Sequence, residues 1–492
     1  MNDLPVTLAQ NQGRGYVIAP AGFGKTHLIA EAVQRGTGRA LILTHTYAGV
    51  NALKKKMRAL GVSTSKYQVD TIASWSLRLC LSYPGNSGWA IEHPNSDQWA
   101  ALYGSCSQLL TKGFILRAIR ASYKKVYVDE YQDCTKAQHA MLMRLAAMLP
   151  FCLLGDPLQA IFDFADEPVE WEKDVYPYFT SLGQLTKPWR WHNAGSKEIG
   201  DWLSDVRRKL ERQEQISLSS SIPKGVKVCC VDSEEAQDKK QFNTCWYFNL
   251  KGTEKVIAIH GGSAELKNKG HYLARKLSGT FSSIEEIEGT VLFSFVKKVS
   301  KARTPAGKMK PVIDFASKCM TGVNESLSAG TKRCEVVNSS KKLKCPAVTA
   351  AANSYLVCPS SDNLKNFLTA LKKTPSVLPF RRDLLNRTIH VLTLHSQFPE
   401  LSLEGAAIKY QGVFRHGGRP VSYPKLIGTT LLVKGLEFDH AIILDAASLS
   451  RKELYVALTR GSKSITIISS SNVLPAQAQK STPVKEIRVA AQ

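Results

Sequence analysis

Two short strings carry the clearest chemistry in this chain. Ala19-Pro20-Ala21-Gly22-Phe23-Gly24-Lys25-Thr26 follows the apolar run Tyr16 to Ile18 and opens a helical pattern of Leu28, Ile29, Ala32 and Val33. Small residues where a strand turns sharply into a helix free backbone amides, so the string reads as a phosphate cradle. Gly22 and Gly24 would turn amides toward a β-phosphate, Lys25 would reach the β/γ-phosphates, and Thr26 would hold magnesium at the positive end of the helix. About a hundred residues later, Val126-Tyr127-Val128 runs into Asp129-Glu130-Tyr131-Gln132-Asp133. Two adjacent carboxylates ending an apolar strand suit metal holding and water activation. A glycine-rich turn by itself is often only a tight loop; the acidic pair downstream points to hydrolysis of ATP with Mg2+.

Further strings lie in positions to complete such a site. Leu154-Gly155-Asp156-Pro157-Leu158-Gln159-Ala160-Ile161-Phe162 ends another apolar run. In a parallel sheet neighbouring strand ends share one crevice, which would let Gln159 face the cradle. Leu185-Thr186-Lys187-Pro188-Trp189-Arg190 offers a flat aromatic beside an arginine, and Glu453 to Arg460 offers a second arginine after an amphipathic helix. Arginine stays charged and forks its donors, which suits it to stabilising a transferring phosphoryl group.

The elements that must position these groups are short β-rich runs: Ala40–Thr44, Val126–Val128, Phe151–Leu154, Val256–Ile259, Ala441–Leu444 and Ile465–Ile468. Separated by helical patterns, they predict α/β architecture with parallel sheets buried on both faces. They fall into two groups, before Pro188 and after Lys255, so two α/β domains are expected. The first is interrupted between Trp75 and Ile119, the second between about Val291 and Tyr423. In the second interruption Lys and Arg outnumber Asp and Glu by about three to one, which suggests contact with a phosphate backbone or, alternatively, a solvated basic face. Ser219-Ser220-Ser221 and Lys239-Lys240 suggest exposed loops.

At 492 residues the chain exceeds what one core supports. Its formal charge of +24 favours a polyanionic partner. No apolar run approaches the length of a spanning helix, and the 11 cysteines form no Cys-x-x-Cys knuckle, so a soluble cytoplasmic protein with reduced thiols and no membrane partner is expected.

The order of the strings resembles the UvrD/Rep/PcrA branch of superfamily 1 DNA helicases. The resemblance runs from about Val17 to Ile468 and rests on Ala19–Thr26, Asp129–Asp133, Gly155-Asp156 with Gln159–Phe162, Trp189-Arg190, Lys434-Gly435-Leu436-Glu437-Phe438 and Ala457–Arg460. It implies two RecA-like P-loop motor domains, each interrupted by an inserted subdomain. Residues 1–76 and 120–182 would form the first, with 77–119 its small insertion. Residues 183–290 and 424–473 would form the second, with 291–423 its basic insertion and 474–492 a flexible tail. By the same resemblance Lys25 and the cradle bind ATP, Thr26 and Asp129 hold Mg2+, and Glu130 is the general base. Gln159 couples nucleotide to DNA, Trp189 stacks on adenine, Arg190 and Arg460 are arginine fingers, and Glu437 contacts the ribose. Phe162 and Phe164 would stack on single-stranded bases, a mode that tolerates any sequence. The Lys434–Phe438 string implies 3′-to-5′ travel.

The chain departs from the family where DNA is gripped. Thr44-His45-Thr46-Tyr47-Ala48 lacks the usual Phe and Lys, Ala165 replaces an arginine, and Leu431-Leu432 replace a His-Ser pair. The compact insertions loosely resemble helicase-like components of bacterial defence systems, including the Gabija type encoded beside an OLD-type nuclease. Translocation and unwinding, a nucleotide-gated DNA sensor or partner subunit of a nuclease complex without robust unwinding, and an RNA-directed motor are the readings left open.

Overall fold

Each apolar run named above falls on a β-strand, and the strands assemble into two six-stranded sheets. The computed structural model describes residues 3–161, 167–286, 288–338, 343–417 and 423–476. The first sheet contains β1 (Arg14–Ile18), β2 (Ala40–Thr44), β3 (Tyr67–Thr71), β4 (Lys125–Val128), β5 (Phe151–Gly155) and β6 (Thr180–Gln184), in the order β3-β2-β4-β5-β1-β6. The second contains β7 (Val226–Cys230), β8 (Val256–His260), β9 (Ser282–Ser283), β10 (Lys425–Thr429), β11 (Phe438–Ile443) and β12 (Gly461–Ser469), in the order β9-β10-β8-β11-β12-β7. All neighbours in both sheets are parallel. This is the α/β class expected, with two parallel sheets arranged as two RecA-like lobes.

The alternation of side chains explains why both faces are covered. Leu41, Leu43, Val126, Val128 and Leu153 join one core, whereas Ile42, Tyr127, Cys152 and Leu154 join the core on the other face. Successive strand residues point to opposite sides, so a continuous apolar run is stable only between two layers of helices. The second lobe repeats the pattern: Ile257, Ile259, Ala441 and Ile443 face one core, and Val256, Ala258, Ile442 and Leu444 the other.

Between β3 and β4 lie the helices Ile72–Ser82, Trp99–Leu109 and Gly113–Ser122. Their Trp75, Leu102, Cys106, Ile115 and Ile119 share the core of Leu41 and Val126, so this segment packs directly on the first sheet. Between β9 and β10 the chain is mostly helical and builds a core of its own, around Phe295, Phe315, Tyr355, Phe367 and Leu385. It is fastened to the second lobe by a buried fork in which Arg381 donates to Glu285 at 2.7 and 2.5 Å. Its helix Leu403–Gly417 also packs against the first-lobe helix Tyr47–Ala59.

Two local expectations change. Lys239 and Lys240 lie in the helix Glu234–Trp246, not in a loop, because the Ser233 hydroxyl caps the Ala236 N–H and Glu234 and Glu235 occupy the first turn. The segment expected to be loose from residue 474 begins with a buried Leu474, paired antiparallel with Ile216; residues 477–492 lie outside the described residues.

Candidate functional site

Parallel pairing brings three strand ends to one edge. Ile18 pairs with Gly155 and Val128 with Leu153, so the loops after β1, β4 and β5 emerge side by side with β5 in the middle. The loop after β1 is pinned at its start by the Ala19 N–H on the Gly155 carbonyl, 2.8 Å away. Ala19, Pro20, Ala21 and Phe23 are buried. Gly22 and Gly24 adopt φ of 78° and 94°, the left-handed region where a side chain is strained. Space forbids a side chain as well: a Cβ on Gly22 would stand 2.9 Å from Arg190 Cβ and from the Trp191 ring. Lys25 and Thr26 then start the helix Lys25–Arg35.

Lys25 is the electrostatic centre of the site. Its Nζ lies 2.6 Å from Glu130 Oε1 and 3.3 Å from Asp129 Oδ1. Burial alone would favour a neutral amine, yet Asp129 and Glu130 outweigh it and raise the Lys25 pKa. Burial pushes Asp129 up to about 6, against the pull of Lys25. For Glu130 burial loses to Lys25, Lys434 and a bond from Gln132, and its pKa falls to about 2. Glu130 is therefore held as a carboxylate. Its backbone sits at φ 57°, ψ 40°, a conformation uncommon for residues with a side chain and frequent at functional turns.

A row of hydrogen bonds continues from that carboxylate. Gln132 Nε2 donates to Glu130 Oε2 at 2.5 Å, and the Asp156 N–H donates to Gln132 Oε1 at 2.9 Å. Gln159 is buried and donates from Nε2 to Asp156 Oδ2 at 2.8 Å. On the other side of Asp156, Arg207 of the second-lobe helix Lys197–Glu211 donates to Oδ1 at 2.7 Å and to the Tyr455 hydroxyl at 3.1 Å.

The second lobe supplies the opposite wall. The Arg190 N–H donates to the Gly22 carbonyl at 2.9 Å, and its guanidinium reaches the Thr459 carbonyl and Glu437 Oε1, each at 2.5 Å. Arg190 Nε is buried with no hydrogen-bond partner among the described residues. Arg460 is fully buried and committed to its own lobe: it donates to the Val456 carbonyl at 2.8 Å, the Leu436 carbonyl at 3.0 Å and the Thr459 hydroxyl at 2.8 Å. Burial and the adjacent Arg190 charge bring its pKa down to about 9. Trp189 lies over Gly24, is 44% exposed, and carries the Lys187 ammonium 3.6 Å above its ring. Lys434 forms an ion pair with Asp133 across the lobes.

The structure thus gathers Ala19–Thr26, Asp129, Glu130, Gln159, Trp189, Arg190 and Glu437 around one cleft, with Arg460 one residue behind. Phe162 and Phe164 lie outside the described residues. Sequence reasoning missed the contacts of Gln132, Lys434 and Arg207. Arg207 did leave a signal: it falls on the apolar stripe of Ile199, Leu203, Val206 and Leu210, where a charge needs a partner. The donor set fits a nucleoside triphosphate with magnesium, since freed amides, a central cation, two carboxylates and an orphaned guanidinium nitrogen all meet here.

One further observation bears on ancestry: residues 90–169 match the family model of the UvrD/REP helicase N-terminal domain. The chain resembles UvrD/REP helicases. The matched segment contains Asp129, Glu130 and Gln159, while Lys25 and the second-lobe strings lie outside it, so this UvrD/REP-like chain shows the likeness most directly in its acidic strand end. No curated protein sequence matches the chain. Among solved structures, the arterivirus nonstructural protein 10 (helicase) in complex with DNA matches with a TM-score of 0.35 and 11% identity over 95% of this chain and 63% of that one. A crystal structure of arterivirus nonstructural protein 10 (helicase) gives 0.30 and 11% over 95% and 61%, and the PRRSV helicase gives 0.29 and 12% over 94% and 54%. The UvrD/REP-like chain therefore spans less than two thirds of the length of these structures.

Proposed function

We propose that this chain is an ATP-dependent translocase that moves along single-stranded DNA, 3′ to 5′, and unwinds duplex DNA. The observation that carries the reading is the meeting of Lys25 with Asp129 and Glu130 at adjoining strand ends; the UvrD/REP match across residues 90–169 supports it. In this reading Ala19–Thr26 hold the triphosphate, Thr26 and Asp129 hold Mg2+, and Trp189 and Glu437 hold the base and ribose. Bound magnesium would supply positive charge to the phosphate oxygens. Glu130 would take the proton of the hydrolytic water, oriented through Gln132, while Gln159 orients from the loop after β5. Arg190 stands against Gly22 and would stabilise phosphoryl charge; Arg460 braces Thr459, whose carbonyl holds Arg190, and would act with it when the cleft changes shape.

Residues 1–76 with 120–182 and residues 183–290 with 424–473 are the two motor units in this reading, and 291–423 is a basic insertion that grips nucleic acid. Phe162 and Phe164 stack on bases, and the direction of travel rests on the Lys434–Phe438 string. The setting would be DNA repair or anti-phage defence in the cytoplasm, with any cleavage supplied by another chain such as an OLD-type nuclease. Among the described residues no helix is long and apolar enough to cross a membrane.

A second reading is favoured by one observation. His45, in the altered string after β2, is half-buried, with Nε2 3.5 Å from Cys134 Sγ, and desolvation lowers its pKa to about 4. A first lobe with a weakened DNA grip suits a nucleotide-gated DNA sensor. Strand displacement on 3′-tailed and 5′-tailed DNA and RNA duplexes separates the readings. Faster opening of the 3′-tailed DNA duplex is expected. Faster opening of the 5′-tailed duplex reverses the direction, preferential opening of RNA makes this an RNA motor, and DNA-stimulated ATPase without opening selects the sensor.

A further inference from the structure

The loop after β5 is held by both lobes, and its fastening is ionic at one end and apolar at the other. Leu158 enters the core that contains Ile199, Val206, Ile443 and Tyr455. Next to it, Asp156 is fully buried and Arg207 nearly so, and their ion pair spans 2.7 Å between the first lobe and a helix of the second. A buried ion pair contributes little net stability compared with apolar packing of the same volume, because desolvation offsets most of the attraction. Leu158 already shows that apolar packing serves at this joint. The pair instead fixes orientation: a guanidinium forks toward Asp156, Tyr455 and Glu211 at once, at 2.7, 3.1 and 2.7 Å.

What Asp156 then orients is the catalytic row. Its Oδ2 accepts from Gln159, and its backbone N–H holds Gln132, which in turn holds Glu130. Three consecutive contacts therefore lead from a second-lobe arginine to the carboxylate beside Lys25. We propose that Arg207 is a positioning residue that couples the seating of the second lobe to the orientation of Glu130 and Gln159, so that water activation is set only when the lobes are docked. This deepens the ATPase reading and rests on it. Arg207 touches none of the reacting groups; it acts through Asp156.

The test uses the full chain with Arg207→Lys, which keeps a charge beside Asp156 but loses the fork, and Tyr455→Phe, which removes one hydroxyl. Turnover is measured per bound nucleotide, with sites titrated by a fluorescent ATP analogue, so that loss of folded protein does not count as loss of rate. Arg207→Lys is expected to lower kcat about tenfold with the KM for ATP within about twofold, and Tyr455→Phe to do the same to a smaller degree. Arg207→Lys combined with Gln132→Ala is expected to fall no further than the worse single variant, because both interrupt one row. Losses that multiply, or variants that match the wild type per bound nucleotide, overturn the coupling while leaving the ATPase reading intact. If Arg207→Lys does not fold, Tyr455→Phe with Gln132→Ala decides by the same criterion. A wild-type protein that hydrolyses no ATP overturns the underlying reading and this inference with it.

Discussion

Lys25 neutralises two carboxylates that the fold places within reach of each other, and its loss has two separable effects. In Lys25→Ala the carboxylates of Asp129 and Glu130 lose the ammonium that contacts both, and phosphate has no Lys25 ammonium to meet. ATPase turnover should fall by roughly two orders of magnitude or more. In Glu130→Gln the shape persists, and the amide oxygen still accepts from Gln132. Its turnover should fall as far while ATP binding by calorimetry stays near that of the wild type. Near-normal rates in both variants would remove the site assignment. The two arginines should differ. Arg190→Ala should depress hydrolysis by about tenfold or more with binding retained, whereas Arg460→Ala also leaves two carbonyls and a hydroxyl without their donor and should lower the melting temperature. An Arg460→Ala protein with wild-type turnover and melting temperature would show that neither bracing nor finger role exists.

At the scale of elements, the buried end of β8 predicts an acid sensitivity. His260 is 1% exposed, both ring nitrogens lack partners among the described residues, and burial lowers its pKa to about 4. The unfolded chain, with an ordinary histidine near 6.5, binds the proton first. Between pH 6.5 and 4 the unfolded state therefore holds more protons, and stability declines as the pH falls through that window. From pH 7 to pH 5 the loss from this residue is roughly 2 kcal/mol. Urea unfolding of His260→Leu at both pH values should show a correspondingly smaller acid penalty; an unchanged penalty would mean that the ring takes up a proton in place. The helix Lys197–Glu211 teaches the converse lesson, since Arg207 is tolerated on an apolar stripe because Asp156 waits for it on the other lobe.

For the whole molecule, charge and architecture meet in the helical unit between β9 and β10. Lys297, Lys298 and Lys301 are exposed on the helix Thr290–Lys301, and that unit also touches the first lobe. If these lysines meet phosphates, replacing all three by glutamine should weaken binding to single-stranded DNA and reduce the slope of log affinity against log salt by roughly two. ATPase without DNA should barely change, because among the described residues none of this unit contacts Lys25, Asp129 or Glu130. An unchanged slope across a salt series would make this a solvated face.

The parts of the site legible in the sequence were those written locally. A glycine at φ 94° before a lysine, or two acids after an apolar run, report the backbone of their own few residues, and the apolar runs reported their strands because burial on both faces leaves no polar positions. Gly22, Lys25, Asp129, Glu130 and Arg190 could therefore be named in advance as residues that the fold brings together. The order β4-β5-β1 could not, since which strands adjoin is settled by how helices from distant segments share the two faces of the sheet. Only that order brings Asp156 between the cradle and the acids. The ion pairs Lys434 with Asp133 and Arg207 with Asp156 were hidden for the same reason: each joins residues far apart in the chain, and a buried charge reveals its partner only once the lobes are packed.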